Sequence, residues 1–217
     1  MDVITIERKI LEKNDLIAAE LRKEFQLKKQ FVINLLSSPG SGKTSLIERT
    51  IIKTRNNFST AVIVGDVQTD NDAKRIGALS IPVIQIVTNG GCHLEANLVR
   101  DAYKNLANLK IDLLIIENVG NLVCPAGFDL GEDLKVVLSS ITEGEDKPLK
   151  YPVVFRNSSA LVINKIDLQP HLNCSAIAIK ENALKINPML KVFETSCTTD
   201  EGIDEWINWL ESKIKSK

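Results

Sequence analysis

Cysteine and histidine are scarce in this chain of 217 residues, which has four of the first and two of the second. Cys92, Cys124, Cys174 and Cys197 are too few and too scattered for a disulfide framework, so in a reducing compartment each is a free thiol acting as core, reactive group or ligand. Charge of one sign is missing as well. The 27 basic and 28 acidic side chains leave a formal net charge of −1, which offers no general field to nucleic acid or an anionic membrane, and neither is an expected partner. No apolar run approaches the roughly eighteen residues of a spanning helix. The opening MDVITIERKILEKNDLIAAELRKEF alternates acids with bases and reads as neither signal nor transit peptide, so the expected location is the cytoplasm. Internal repeats, low-complexity tracts and a convincing linker are also lacking.

What is there suits one α/β domain: 44% hydrophobic and 25% charged residues in a chain long enough to bury a core. Ile6, Ile10, Ile17, Leu21 and Phe25 recur at intervals that place them on one helical face. After this N-terminal helical extension (residues 1–29), β-rich runs alternate with helical patterns over 30–217. FVINLLS, AVIVGD, VIQIVTN, DLLIIENV, LKVVLSSI, ALVINKID and LKVFETSC are mostly continuous rather than alternating in apolarity, as in strands buried on both faces of a parallel sheet. Helices are expected over 46–53 and 94–106, and a last one carries Ile203, Trp206, Ile207, Leu210 and Ile214 on one stripe. EGEDKPLKYP (143–152) is the most loop-like interior stretch. The predicted fold is a doubly wound, mainly parallel α/β sheet with an N-terminal helical extension.

SSPGSGKTS follows the first strand and precedes a helix. Ser37 stands where the P-loop pattern has its first glycine, while Gly40, Gly42, Lys43 and Thr44 keep their places. The backbone N–H groups from Gly40 through Ser41 and Gly42 to Thr44 and Ser45 can cradle phosphates, the Lys43 ammonium can meet the β/γ-phosphates, and the Thr44 hydroxyl can hold Mg²⁺. The bland alternative is a Gly/Ser-rich turn. NKID, with Asn164, Lys165 and Asp167, ends a later strand at the sheet edge where such folds bind ligands. A carboxylate at Asp167 can accept from guanine N1–H and its 2-amino group, favouring GTP over ATP, although Asn164 and Asp167 are also ordinary turn formers. The segment TSCTTDEG (195–202) can add backbone contacts to the base. Asp66 and Glu117 end two other strands as further magnesium ligands. Asp70 and Asp72 either cap the next helix or position the attacking water. Lys43, Asp66 and Asp72 are the catalytic candidates.

Cys92 and His93 in GGCHL leave the same sheet edge as Cys124 in LVCPAG, so two thiolates and an imidazole can converge as soft ligands on a transition metal. The competing assignment is that Cys92 and Cys124 are small buried hydrophobes. Cys174 and Cys197 are assigned to packing and His171 to solvent.

The ordered set SSPGSGKT, VGDVQTDNDA, NGGCHLEA, IENVGNLVCPA, ITEGEDKPLKYP, LVINKIDL and SCTTDEGIDEW closely resembles the hydrogenase maturation GTPases that deliver nickel, the HypB family of SIMIBI-class P-loop GTPases, over nearly the whole chain after the first helix. The resemblance implies GTP hydrolysis that drives homodimer formation and release, and a nickel or zinc site at the dimer interface on Cys92, His93 and Cys124. It further implies a nickel metallochaperone partner, HypA, and onward delivery to the [NiFe]-hydrogenase large-subunit precursor. It does not extend to the Cys-rich N-terminal motif and His-rich stretch of some members. A urease accessory GTPase and a P-loop small-molecule kinase are the alternatives; GGCHL with LVCPAG weighs against the first and NKID against the second.

Overall fold

The computed structural model describes residues 6–217, with side chains from Leu11 onward. Seven strands, β1 (Phe31–Ser37), β2 (Thr60–Asp66), β3 (Val83–Val87), β4 (Leu113–Glu117), β5 (Leu134–Ser140), β6 (Ala160–Asn164) and β7 (Lys191–Glu194), form one sheet in the order β3-β2-β4-β1-β5-β6-β7. Every pairing is parallel. The helices are α1 (Ile6–Leu27), α2 (Lys43–Thr54), α3 (Asn71–Gly77), α4 (Ala96–Tyr103), α5 (Lys147–Lys150), α6 (Pro152–Arg156), α7 (Ala176–Ile186) and α8 (Ile203–Lys215).

The continuous apolar runs become strands buried on both faces. In β1, Phe31, Ile33 and Leu35 pack with Leu46, Ile47, Ile51 and Trp206 on one side of the sheet. Val32 joins Leu21, Phe25 and Val99 on the other, and Leu36 packs there with Phe155 and Ile179. The edge strands β3 and β7 depart from this pattern, being only partly buried because each has one neighbour. α8 starts from Gly202, whose φ of 68° is left-handed, and the buried Trp206 Nε1 donates to Thr50 Oγ1 on α2 at 3.0 Å.

α1 is seated in the same core as the strands. Ala18, Leu21 and Phe25 are buried, Ile17 is half-buried, and the side chains of Ile6 and Ile10 lie outside the described residues. Asn14 donates to Asp129 O at 2.8 Å and accepts from Ala96 N at 2.8 Å, and Arg22 forks onto both Asp129 carboxylate oxygens at 2.6 and 2.8 Å. Gly131 allows the approach: its φ is 83°, and a Cβ there would lie 2.9 Å from Ala18 O. The stretch expected to be a loop, 143–152, instead folds back: a 3-10 turn over Ile141–Glu143 closed by a Ser140–Glu143 capping box leads into α5 and the start of α6. Pro148 and Pro152 sit in the first turns of these short helices, where proline's missing N–H costs nothing. No helix of the described residues is long and apolar enough to cross a membrane.

Candidate nucleotide and metal sites

Register sets the site. Leu35 and Val64 both pair with Glu117, and Ser140 pairs with Asn164, so Ser37, Asp66, Glu117 and Asn164 all emerge at the carboxyl edge of the sheet. Between them lies a cavity of about 470 Å³ lined by P-loop residues Gly40, Gly42, Lys43, Thr44 and Ser45 with Asp66, Asp72, Arg75, Glu117 and Lys165. That volume suits a nucleotide-sized ligand, since small-molecule sites run to roughly 300–1,000 Å³.

The P-loop is tied down from both ends. Ser37, the departure from the usual pattern, is fully buried; its hydroxyl donates to Ser38 O at 2.6 Å and accepts from Lys43 Nζ at 2.9 Å. Burial lowers the Lys43 pKa, opposed by the surrounding carboxylates of Glu117, Asp72, Glu143 and Asp66, so an incoming polyphosphate would stabilise its charge. Gly42 has φ 100°, and a Cβ there would fall 2.4 Å from Asn164 Nδ2, which donates to Ser41 O at 3.1 Å. Lys165 Nζ donates to Gly40 O at 2.7 Å. The NKID turn is thereby clamped onto the phosphate loop. Asn164 Oδ1 accepts from Thr195 Oγ1 at 3.3 Å and Cys197 Sγ at 3.4 Å, which brings the TSCTTDEG segment to the same place. Asp167 presents a buried Oδ1 without a protein hydrogen-bond partner, as a base-reading acceptor would.

Thr44 Oγ1 donates to Glu117 Oε1 at 2.9 Å, while Glu117 Oε2 is buried and unpartnered. Burial pushes the Glu117 carboxyl up to about 7 against the pull of Lys43. A hydroxyl and an orphaned carboxylate oxygen side by side are hard-oxygen chemistry that fits Mg²⁺. Asp66 lies at the same edge, its Oδ1 accepting from Thr69 N at 2.7 Å and Gln68 N at 2.9 Å; burial raises its pKa, but these bonds outweigh that and hold it below the usual range. Of the next two acids, Asp70, at the N-cap of α3, makes no side-chain cap bond and instead pairs with Lys74 at 2.8 Å, whereas Asp72 stands in the first turn of α3 and lines the cavity.

The ligand atoms of Cys92, His93 and Cys124 all lie within 4.8 Å of one another. Cys92 Sγ is 3.5 Å from His93 Nδ1, and His93 stacks on Phe128 with ring centroids 4.0 Å apart. The Cys124 sulfur, then burial, raises the Cys92 thiol's pKa, and burial lowers that of His93. Two crowded thiols and a neutral imidazole whose buried Nε2 has no hydrogen-bond partner fit a soft or borderline cation. Three donors leave a coordination position open, as exchange requires. By contrast Cys174 packs against the Phe155 cluster, burial pushes Cys197 up to about 11, and His171 is exposed.

Several participants carry no motif. Asn118 Oδ1 accepts from Leu94 N at 3.1 Å, and Asn121 Nδ2 donates to Cys92 O at 3.3 Å, so the segment after Glu117 holds the Cys92–His93 loop. Glu143 Oε1 accepts from Ser41 Oγ at 2.5 Å and Lys147 Nζ donates to Ser38 Oγ at 3.1 Å, tying the refolded 143–152 stretch to the P-loop. The only local signal for these was the length of the matching ITEGEDKPLKYP and IENVGNLVCPA segments.

The profile of the CobW/HypB/UreG nucleotide-binding domain matches residues 31–194. The hydrogenase maturation factor HypB of Azotobacter vinelandii is 51% identical over 209 residues, covering 96% of this chain and 69% of that protein. The crystal structure of HypB from Helicobacter pylori in complex with nickel superimposes with a TM-score of 0.89 at 38% identity, over 94% of this chain and 96% of that one. HypB from Archaeoglobus fulgidus gives 0.88 at 37% identity, over 94% and 100%.

Proposed function

This chain belongs to the hydrogenase maturation factor HypB family within the CobW/HypB/UreG nucleotide-binding proteins, and from that premise we propose how its two sites work together. It is a GTPase that serves nickel delivery into [NiFe]-hydrogenase. GTP occupies the cavity between β1, β4 and β6: Gly40 to Ser45 cradle the phosphates, Lys43 neutralises them, and Asn164, Lys165 and Asp167 read and seat guanine. Thr44, Glu117 and Asp66 would hold Mg²⁺, which supplies charge neutralisation on the phosphates. Asp72 orients the attacking water. Cys92, His93 and Cys124 carry the cargo metal, nickel, with zinc chemically admissible.

Nucleotide state gates metal transfer through homodimerisation. The observation that carries this is the continuity of segment 118–124: it leaves Glu117, packs Gly120 against Pro39 of the P-loop so closely that a Cβ would lie 3.0 Å from Pro39 Cα, and ends on Cys124. A shift at the γ-phosphate side therefore moves a metal ligand. HypA is the metallochaperone partner that passes nickel onward, the hydrogenase large-subunit precursor the recipient, and the cytoplasm the site of action. Linkage requires reciprocity: if a GTP analogue raises metal affinity, metal must strengthen analogue binding by the same factor, and if the analogue favours the dimer, the dimer must bind the analogue more tightly than the monomer does. Calorimetric metal titration and size-exclusion chromatography with GDP and with a non-hydrolysable analogue test this; identical metal affinity and dimerisation in both states would refute it.

A further inference from the structure

One ion pair at the rim of the nucleotide cavity has no part in the scheme above. Arg75 on α3 donates to Glu48 on α2 through Nε at 3.2 Å and through Nη2 at 2.7 Å, reaching both carboxylate oxygens. The same Nη2 lies 3.3 Å from Ser45 Oγ, and Nη1 stands 3.9 Å from Asp72 Oδ1. A two-point fork of this kind fixes orientation as well as distance, which a lysine at the same place would not do.

α3 has little else to hold it. It spans seven residues, Ile76 is its one buried residue, Ala73 is half-buried against the same core, and its N-cap makes no side-chain capping bond. It lies between β2 and the edge strand β3, with Ile76 and the small Ala73 as its apolar contacts and one polar clamp to the P-loop helix. The clamp ends on Ser45, the neighbour of Thr44, so it refers the position of α3 to the phosphate cradle itself. The Arg75 side chain is 48% exposed and that of Glu48 25%, so the pair adds little to global stability, and its effect is expected in the placement of Asp72.

We propose that Arg75 is a positioning residue for GTP hydrolysis: through Glu48 and Ser45 it pins α3 to the P-loop helix and so sets the Asp72 carboxylate at the phosphate end of the cavity. This rests on Asp72 as the group that orients water. The test is steady-state GTP hydrolysis, GDP affinity and melting temperature for Arg75→Ala, Glu48→Ala, their double substitution, Arg75→Lys, the exchanged pair Arg75→Glu with Glu48→Arg, and Asp72→Asn. Since misplacement of a reacting group by about 1 Å can cost up to roughly a hundredfold in rate, kcat is expected to fall about ten- to a hundredfold in either alanine variant. GDP affinity should stay within about twofold and melting should barely move. The double substitution should be no worse than either single one, Arg75→Lys should fall between, and the exchanged pair should regain part of kcat. Wild-type kcat in Arg75→Ala, while Asp72→Asn is impaired, overturns the clamp alone. Wild-type kcat in Asp72→Asn overturns the role of Asp72 on which the clamp depends. Loss of GDP affinity in step with kcat would make Arg75 a direct phosphate ligand and overturn the proposal.

Discussion

Two carboxylates at the sheet edge differ in what surrounds them, and their chemistry follows. Asp167 offers an acceptor without a partner, so exchanging it for asparagine replaces one acceptor oxygen by a donor. Asp167→Asn is expected to weaken GTP binding by at least about tenfold and to strengthen binding of XTP, whose base carries an oxo group at position 2. Unchanged affinities for both, measured by calorimetry, would remove Asp167 from the base site. Glu117 is governed by desolvation, which raises its carboxyl from 4.5 to about 7. Because the folded pKa is the higher one, the unfolded chain loses its proton first as pH rises. The associated stability is fully present below about pH 4.5 and is lost as pH climbs through about 7. Denaturant melts of metal-free protein should show that decline in the wild type and a shallower one in Glu117→Gln. Equal slopes would mean that Glu117 is not the titrating group.

Among the elements, α1 bears most directly on domain organisation. Its periodicity announces a helix with one apolar face but does not say what that face covers. Ala18, Leu21 and Phe25 pack with Val32, Val99 and Leu114, and Asn14 and Arg22 fasten the polar side to the Asp129 turn. Leu21→Ala is expected to lower the stability of the whole protein by about 2–5 kcal/mol in one cooperative transition. If α1 were an appendage independent of residues 30–217, the main transition would stay in place and only a minor one would shift. The 143–152 stretch teaches the complementary lesson. Its Gly, Asp and Pro content is turn-like, yet the capping box at Ser140 and prolines at first-turn positions make it a pair of short helices.

In the whole molecule, the cavity and the thiol cluster share the segment 118–124. If Cys92, His93 and Cys124 are one site, Cys92→Ala and Cys124→Ala should each remove most bound nickel or zinc, whereas Cys174→Ala and Cys197→Ala should not. Metal must displace thiol protons, and the Cys92 pKa is raised, so affinity should fall as pH drops. Metal analysis of the four variants checks the contrast; equal metal content in all of them would dissolve the site.

Strand burial, the P-loop and NKID were legible in the sequence because each rests on local requirements: continuous apolar runs for two-faced burial, and Gly42 where φ is 100° and no Cβ fits. The resemblance of the ordered motifs identified the family for the same reason, since its signatures are contiguous. Only the tertiary structure decided which distant side chains meet. The Arg75–Glu48 fork, the Ser41–Glu143 bond and the Asn118 and Asn121 links join residues with no mutual spacing rule. Their pairing is set by strand order and register, which place β4 between β1 and β2 and bring the carboxyl ends of all three to one edge. Local sequence prescribes backbone conformation, whereas side-chain partnership across a sheet follows from the packing of all its elements at once.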